Sequence, residues 1–138
     1  GILTEEKTDS NLIKLKDMAV YGAAPYNLRG SIFSRITDYQ EDNPDLIDYF
    51  ADHINDPHRR VRWTCANQII RHGNIDQFGE FLEMADAEPL RGGKIADIYS
   101  ALDKRLAKLK KSKDRKEAKE IEKMQKMFAE SAEEWGNN

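Results

Sequence analysis

The sequence predicts an all-α protein: a short right-handed stack of about three antiparallel helical hairpins with a charged helix at its C-terminal end. Three observations lead there. Pro25, Pro57 and Pro89 recur every 32 residues, and each precedes an apolar-Arg pair that opens a helix, Leu28-Arg29, Val61-Arg62 and Leu90-Arg91. Such a recurrence marks a hairpin repeat, whose units must stack because one hairpin cannot bury its own apolar stripe. Helix starts and stops are marked along the chain by caps, Pro and Gly, whereas sustained period-2 alternation and Asn-Gly or Asp-Gly turns are missing.

The elements follow in order. Asp9 or Ser10 can cap a first helix whose Leu12, Ile13, Leu15, Met18 and Ala19 form the stripe, with Gly22 as its left-handed stop. A second opens near Asn27 and carries Leu28, Ile32, Phe33, Ile36 and Tyr39. Asn43-Pro44 reads as a cap with Pro at the first helical position, starting a third helix through Leu46, Ile47, Phe50, Ala51 and Ile54. Asp56-Pro57 repeats the device for a fourth through Val61, Cys65, Ala66, Ile69 and Ile70, ending at His72-Gly73. Asn74 opens a fifth, with Ile75, Phe78, Phe81 or Leu82, and Ala85 inward, and Pro89 a sixth with Ile95, Ile98, Tyr99, Leu102, Leu106 and Leu109. Aligned from the apolar-Arg pair, the second, fourth and sixth helices match at Phe33, Ala66 and Ile95 and at Ile36, Ile69 and Ile98.

Residues 46 to 66, an apolar first helix, the Asp56-Pro57 turn, then Val61-Arg62 with Ala66 four residues after the Arg, resemble a HEAT repeat. The strong unit spans about 45–73, and weaker ones about 12–41 and 75–109; the first lacks the turn Asp, and the third has Gly92-Gly93 where helix formers are expected. The resemblance implies a polar ladder through Asp56 and Arg62. It also implies a scaffold whose second helices line a concave, protein-binding face, with Arg35, Trp63, Asn67, Arg71 and Lys94 beside the core stripe. Trp63 aligns with Gly30 and Gly92. Either those glycines leave room for the indole, or Trp63 is an exposed anchor among Arg59, Arg60 and Arg62, the residue types that dominate interface energetics.

Charge is uneven. The net value is -3, yet residues 104 to 119 hold nine Lys or Arg against two carboxylates, net +7, so the remainder sums to -10. The block is either a solvated helix surface with i, i+4 partners or a track for an anionic partner. In the second case Lys104, Arg105, Lys108, Lys111 and Lys113, with the Arg59 to Arg62 turn, contact nucleic acid. A single Cys65 and no leader-type apolar region lead to the expectation of a reducing, cytoplasmic setting. No apolar run approaches the roughly 20 residues of a membrane-spanning helix. Gly1 reads as a cleavage scar.

Chemistry is sparse. His53, His58 and His72 form no His-x-x-x-His or Cys-x-x-Cys set, so neither metal nor cofactor is expected. Cys65 sits where a small core residue belongs, and Asp45, Asp48 and Asp52 lie on the polar side of their helix. Arg91-Gly92-Gly93-Lys94 lacks the strand and spacing of a phosphate loop. No residue receives a catalytic role, and the expected activity is non-enzymatic protein binding by an adaptor or inhibitor, with nucleic-acid binding as the alternative.

After Leu109 the apolar pattern changes phase. Ile121, Met124, Phe128, Ala132 and Trp135 form a new stripe, and Asp114 with Glu117 makes a capping box, so a break falls near Ser112 to Asp114. The hairpins are accordingly assigned to residues 1–110 and the last helix to 111–138. That helix either caps the last hairpin or offers its 121–135 stripe to a second copy or another partner helix.

Overall fold

The structure, a computed structural model, describes residues 7–20 and 25–136. It is all-α: α1 (Asp9–Met18), α2 (Tyr26–Ile36) with a 3-10 turn (Thr37–Tyr39), α3 (Leu46–Asp52), α4 (Arg59–His72), α5 (Ile75–Ala87), α6 (Gly93–Ser112) and α7 (Arg115–Gly136). No strand occurs among the described residues, and no helix there is long and apolar enough to cross a membrane. Two compact units divide the chain at residues 66 and 67, within α4. Gly1 and the expected stop at Gly22 lie outside the described residues.

In the first unit α1 packs on α2. Thr8, rather than Asp9 or Ser10, caps α1 by accepting from the Asn11 amide at 3.2 Å. Leu12, Leu15 and Ala19 are buried, but Ile13 and Met18 are exposed. In α2 the inward stripe is Arg29 with Ile32, Phe33 and Ile36 three, four and seven residues on, while Leu28 stands out in solvent. The apolar pattern alone puts Leu28 inside, because a charged residue does not enter a core stripe without a buried counter-charge. Asn43 does not cap α3: its Nδ2 donates to the Tyr39 carbonyl at 2.9 Å, and α3 starts only at Leu46, after a turn through Pro44. Asp56-Pro57 does not open α4 as a cap with Pro at the first helical position: α4 begins at Arg59. The Asp56 carboxylate instead accepts from the His58 amide at 2.8 Å in the turn before it, and the first helical bond runs from Arg62 N to His58 O.

The second unit holds the end of α4 and α5 to α7. Asn74 and Gln77 form a reciprocal capping box that fixes the start of α5. Gly73 ends α4 without a left-handed backbone; its amide reaches Ile69 O at 2.7 Å, and a Cβ there would meet the same oxygen. The sixth helix does not begin at Pro89. Leu90 is buried in an irregular link, Arg91 is exposed, and α6 starts at Gly93, after Gly92 at φ 61° and ψ -130°. That backbone is natural only for glycine and does not continue a helix, so Leu90-Arg91 departs from the pattern of the two earlier pairs.

The break between α6 and α7 falls where the sequence placed it. Lys113 takes a left-handed C-cap at φ 61°, and Asp114 accepts from the Glu117 amide at 3.1 Å. Gln125 of α7 donates to Asp103 of α6 at 2.6 Å, each about eleven residues from the link, so the two helices run antiparallel. Glu120 accepts from the Ile75 amide and Asp86 from the Trp135 indole, both at 2.8 Å, which pairs start with start and end with end and sets α7 parallel to α5. Phe128 is fully buried, with ring contacts to Phe78, Tyr99 and Trp135. Ile121, Met124 and Trp135 are buried too, and α7 packs on α5 and α6. The apolar stripe of α7 is thus covered within this unit by α5 and α6.

Candidate functional site

The most polar interior belongs to the first unit. Arg29 is 2% exposed; its Nη1 and Nη2 meet the two oxygens of Asp56 at 2.6 and 2.7 Å, and its Nε donates to the Ala19 carbonyl at 3.0 Å. One guanidinium thus ties the end of α1 and the body of α2 to the turn before α4, with a planar fork matched to a carboxylate. Burial alone would raise the Asp56 pKa, but the Arg29 hydrogen bonds, the His58 amide and the nearby positive charge outweigh it and hold the carboxyl below its ordinary 3.8. Burial pushes Tyr49 up to about 12 and raises Cys65 strongly, which leaves that thiol protonated and inert. Arg62 does not meet the Asp56 carboxylate. Its Nη1 donates to the carbonyls of Asp56 and Pro57 at 3.0 and 3.1 Å, so the ladder expected through Asp56 and Arg62 has Arg29 as the carboxylate's partner.

Around α4, Arg59 and Arg60 are exposed, Trp63 is half-buried, and Arg35 is exposed on the last turn of α2. The space at Gly30 is filled by the aliphatic stem of Arg60, whose Cγ would lie 2.9 Å from an added Cβ and whose Nη1 donates to Ser31 Oγ at 3.2 Å. Gly92 has nothing within 4 Å of that position and serves its left-handed backbone. At Gly30 the nearest side chain is thus that of Arg60 and not the Trp63 indole.

In the second unit a groove runs between the end of α4 and α6. Asn67, Ile70 and Arg71 share one face of α4; Asp97, Ala101, Lys104 and Lys108 share a face of α6, with Ile98, Ser100 and Arg105 beside them. The space is open to solvent and measures about 670 Å³, with Ile70, Ile98 and Ala101 as its apolar floor. Arg105 sets its shape. Nη1 and Nη2 donate to the carbonyls of Ile70 and Gly73 at 2.9 and 3.0 Å, satisfying orphan acceptors at the α4 C-terminus with a favourably placed cation. Arg105 is therefore committed within the fold and is not a free phosphate contact.

Arg71, Lys104 and Lys108 form no ion pair among the described residues, and neither does Asp97. The groove is accordingly positive on both rims with one carboxylate near the start of α6. Partial burial lowers the pKa of His72 on the last turn of α4, and the charges of Arg105, Arg71 and Lys108 lower it further. The geometry brings together residues drawn from two separate sequence readings, Asn67 and Arg71 from the protein-binding set and Lys104, Arg105 and Lys108 from the nucleic-acid set. Lys94 is exposed in the first turn of α6 outside the groove, and Lys111 and Lys113 are exposed beyond its far end. Among the described residues no three His, Cys, Asp or Glu side chains are placed to hold a metal ion, and Asp45, Asp48 and Asp52 all face solvent.

Sequence reasoning missed Arg29 and the structural use of Arg105. The signal for Arg29 was present, because 29, 32, 33 and 36 keep helical spacing more closely than a stripe begun at 28. No family model, curated protein or solved structure matches the chain.

Proposed function

We propose that this chain is a non-enzymatic interaction module that holds an acidic polypeptide segment in the α4/α6 groove. The observation that carries the reading is the groove's composition: an apolar floor between two rims of cations that lack partners among the described residues. A groove between two helices is a common seat for an amphipathic segment. A nucleic-acid backbone, charged along its whole length, would have no use for the apolar floor. The Arg29 to Asp56 pair, which joins the second helix of one hairpin to the turn of the next, supports reading the first unit as HEAT-like.

The test is fluorescence anisotropy with a labelled Glu- and Leu-containing helical peptide, and in parallel with labelled mixed-sequence duplex RNA. Peptide binding at low salt should weaken by about tenfold in the Lys104→Glu/Lys108→Glu variant with the melting curve unchanged. An absence of peptide binding, or RNA binding with a steep salt dependence that the same variant abolishes, overturns the proposal.

A further inference from the structure

The second unit carries equal numbers of Lys or Arg and of Asp or Glu; α7 mixes the two signs, but α5 is wholly acidic and one face of α6 is wholly basic near its C-terminal end. Along α5 the acids are Asp76, Glu80, Glu83 and Asp86, all exposed, and that helix has no Lys or Arg. Along the outer side of α6, Lys104, Lys108 and Lys111 are exposed, the first two on the groove rim. Asp76, Glu80 and Glu83 are spaced four and three residues apart, and so are Lys104, Lys108 and Lys111. Each stripe therefore spans about 10 Å at the α-helical rise, with its charges in step. None of these six side chains forms an ion pair among the described residues, so the two stripes do not neutralise each other within the chain.

We infer that the acidic segment received by the α4/α6 groove is the exposed face of α5 from a second copy of this chain. The inference rests on the groove reading above and adds the identity of the occupant. In the parallel register Asp76, Glu80 and Glu83 of one copy face Lys104, Lys108 and Lys111 of another. The exposed face of α5 sets its carboxylates on the Lys rim of the groove and leaves the apolar floor largely uncovered, so this contact is electrostatic, weak and salt-sensitive. Donor and acceptor surfaces differ, which makes the contact heterologous; each copy keeps one free stripe unless the assembly closes.

Sedimentation equilibrium of the full chain from micromolar to millimolar concentration provides the test. At low salt the weight-average mass should rise above the 15.9 kDa of one chain, and at about 1 M salt, where screening acts within about 3 Å, it should return there. Glu80→Lys/Glu83→Lys and Lys104→Glu/Lys108→Glu should each weaken self-association by about tenfold. An equimolar mixture of the two variants should associate again, because each supplies the surface that the other lost. A chain that stays monomeric at low salt, or self-association that neither reversal touches, overturns the inference. If the chain is monomeric while the helical peptide still binds, the groove reading stands without it; if the peptide also fails, both fall together.

Discussion

The two units solve the same problem, holding short helices together, by different means. The first places a charged pair in its interior: Arg29 and Asp56 are covered beside Phe33 and connect three elements. The second fills its interior with rings, Phe78, Phe81 and Phe128, and keeps its polar ties at the rim, from Glu120 to the Ile75 amide, Gln125 to Asp103 and Trp135 to Asp86. A buried ion pair contributes little net stability, because desolvation offsets attraction, yet it is costly to break and accepts only one geometry. An aromatic cluster contributes through buried area and tolerates adjustment. The contrast therefore predicts that the first unit is sensitive to loss of a partner and the second to loss of volume.

The largest effect should come from Arg29→Met, which leaves the Asp56 carboxylate buried without its counter-ion and costs about 3 to 5 kcal/mol in urea denaturation. Adding Asp56→Asn to that variant should recover part of the loss, since the amide is uncharged and still accepts from the His58 amide; simple additivity of the two would break the comparison.

A smaller consequence of the same pair is pH-dependent. The folded-state pKa of Asp56 lies below its unfolded value, so its stabilisation is complete above about pH 4 and is lost as pH falls through the folded value. Denaturation at a series of pH values should show a shallower acid limb for Asp56→Asn than for the parent chain. Equal slopes would mean that the carboxylate carries no linked stability.

At the rim of the second unit, Asp86→Ala leaves the Trp135 indole packed on Phe128 and removes only its hydrogen-bond acceptor, for a loss of about 0.5 to 1.5 kcal/mol by the same denaturation measurement. A loss as large as that of Arg29→Met would show that the second unit also depends on a polar tie.

Much of the secondary structure was legible because helix ends are written locally. Asn74 opened α5, and Asp114 with Glu117 restarted the chain after Lys113, since these signals act within one helical turn. The errors fell where a local rule met a distant partner. Nothing local marks Arg29 as a core residue, because its counter-charge stands 27 residues away, and nothing near Asn43 announces that its amide turns back to Tyr39 instead of capping α3. At Pro89 the repeat pattern outweighed the backbone need of Gly92 three residues later. Of the candidate site, single residues were legible; their grouping was not.

The sequence by itself determined that this chain is helical, where most of its helices start and stop, and where its charges cluster. Tertiary structure alone decided that Arg29 takes Asp56, that Arg105 is committed to the carbonyls ending α4, and that Arg71 faces Lys104 and Lys108 across one groove. The reason is one of range: caps and stripes are fixed by contacts three or four residues apart, whereas these pairings close loops of about thirty residues, whose entropic cost only the assembled core can offset.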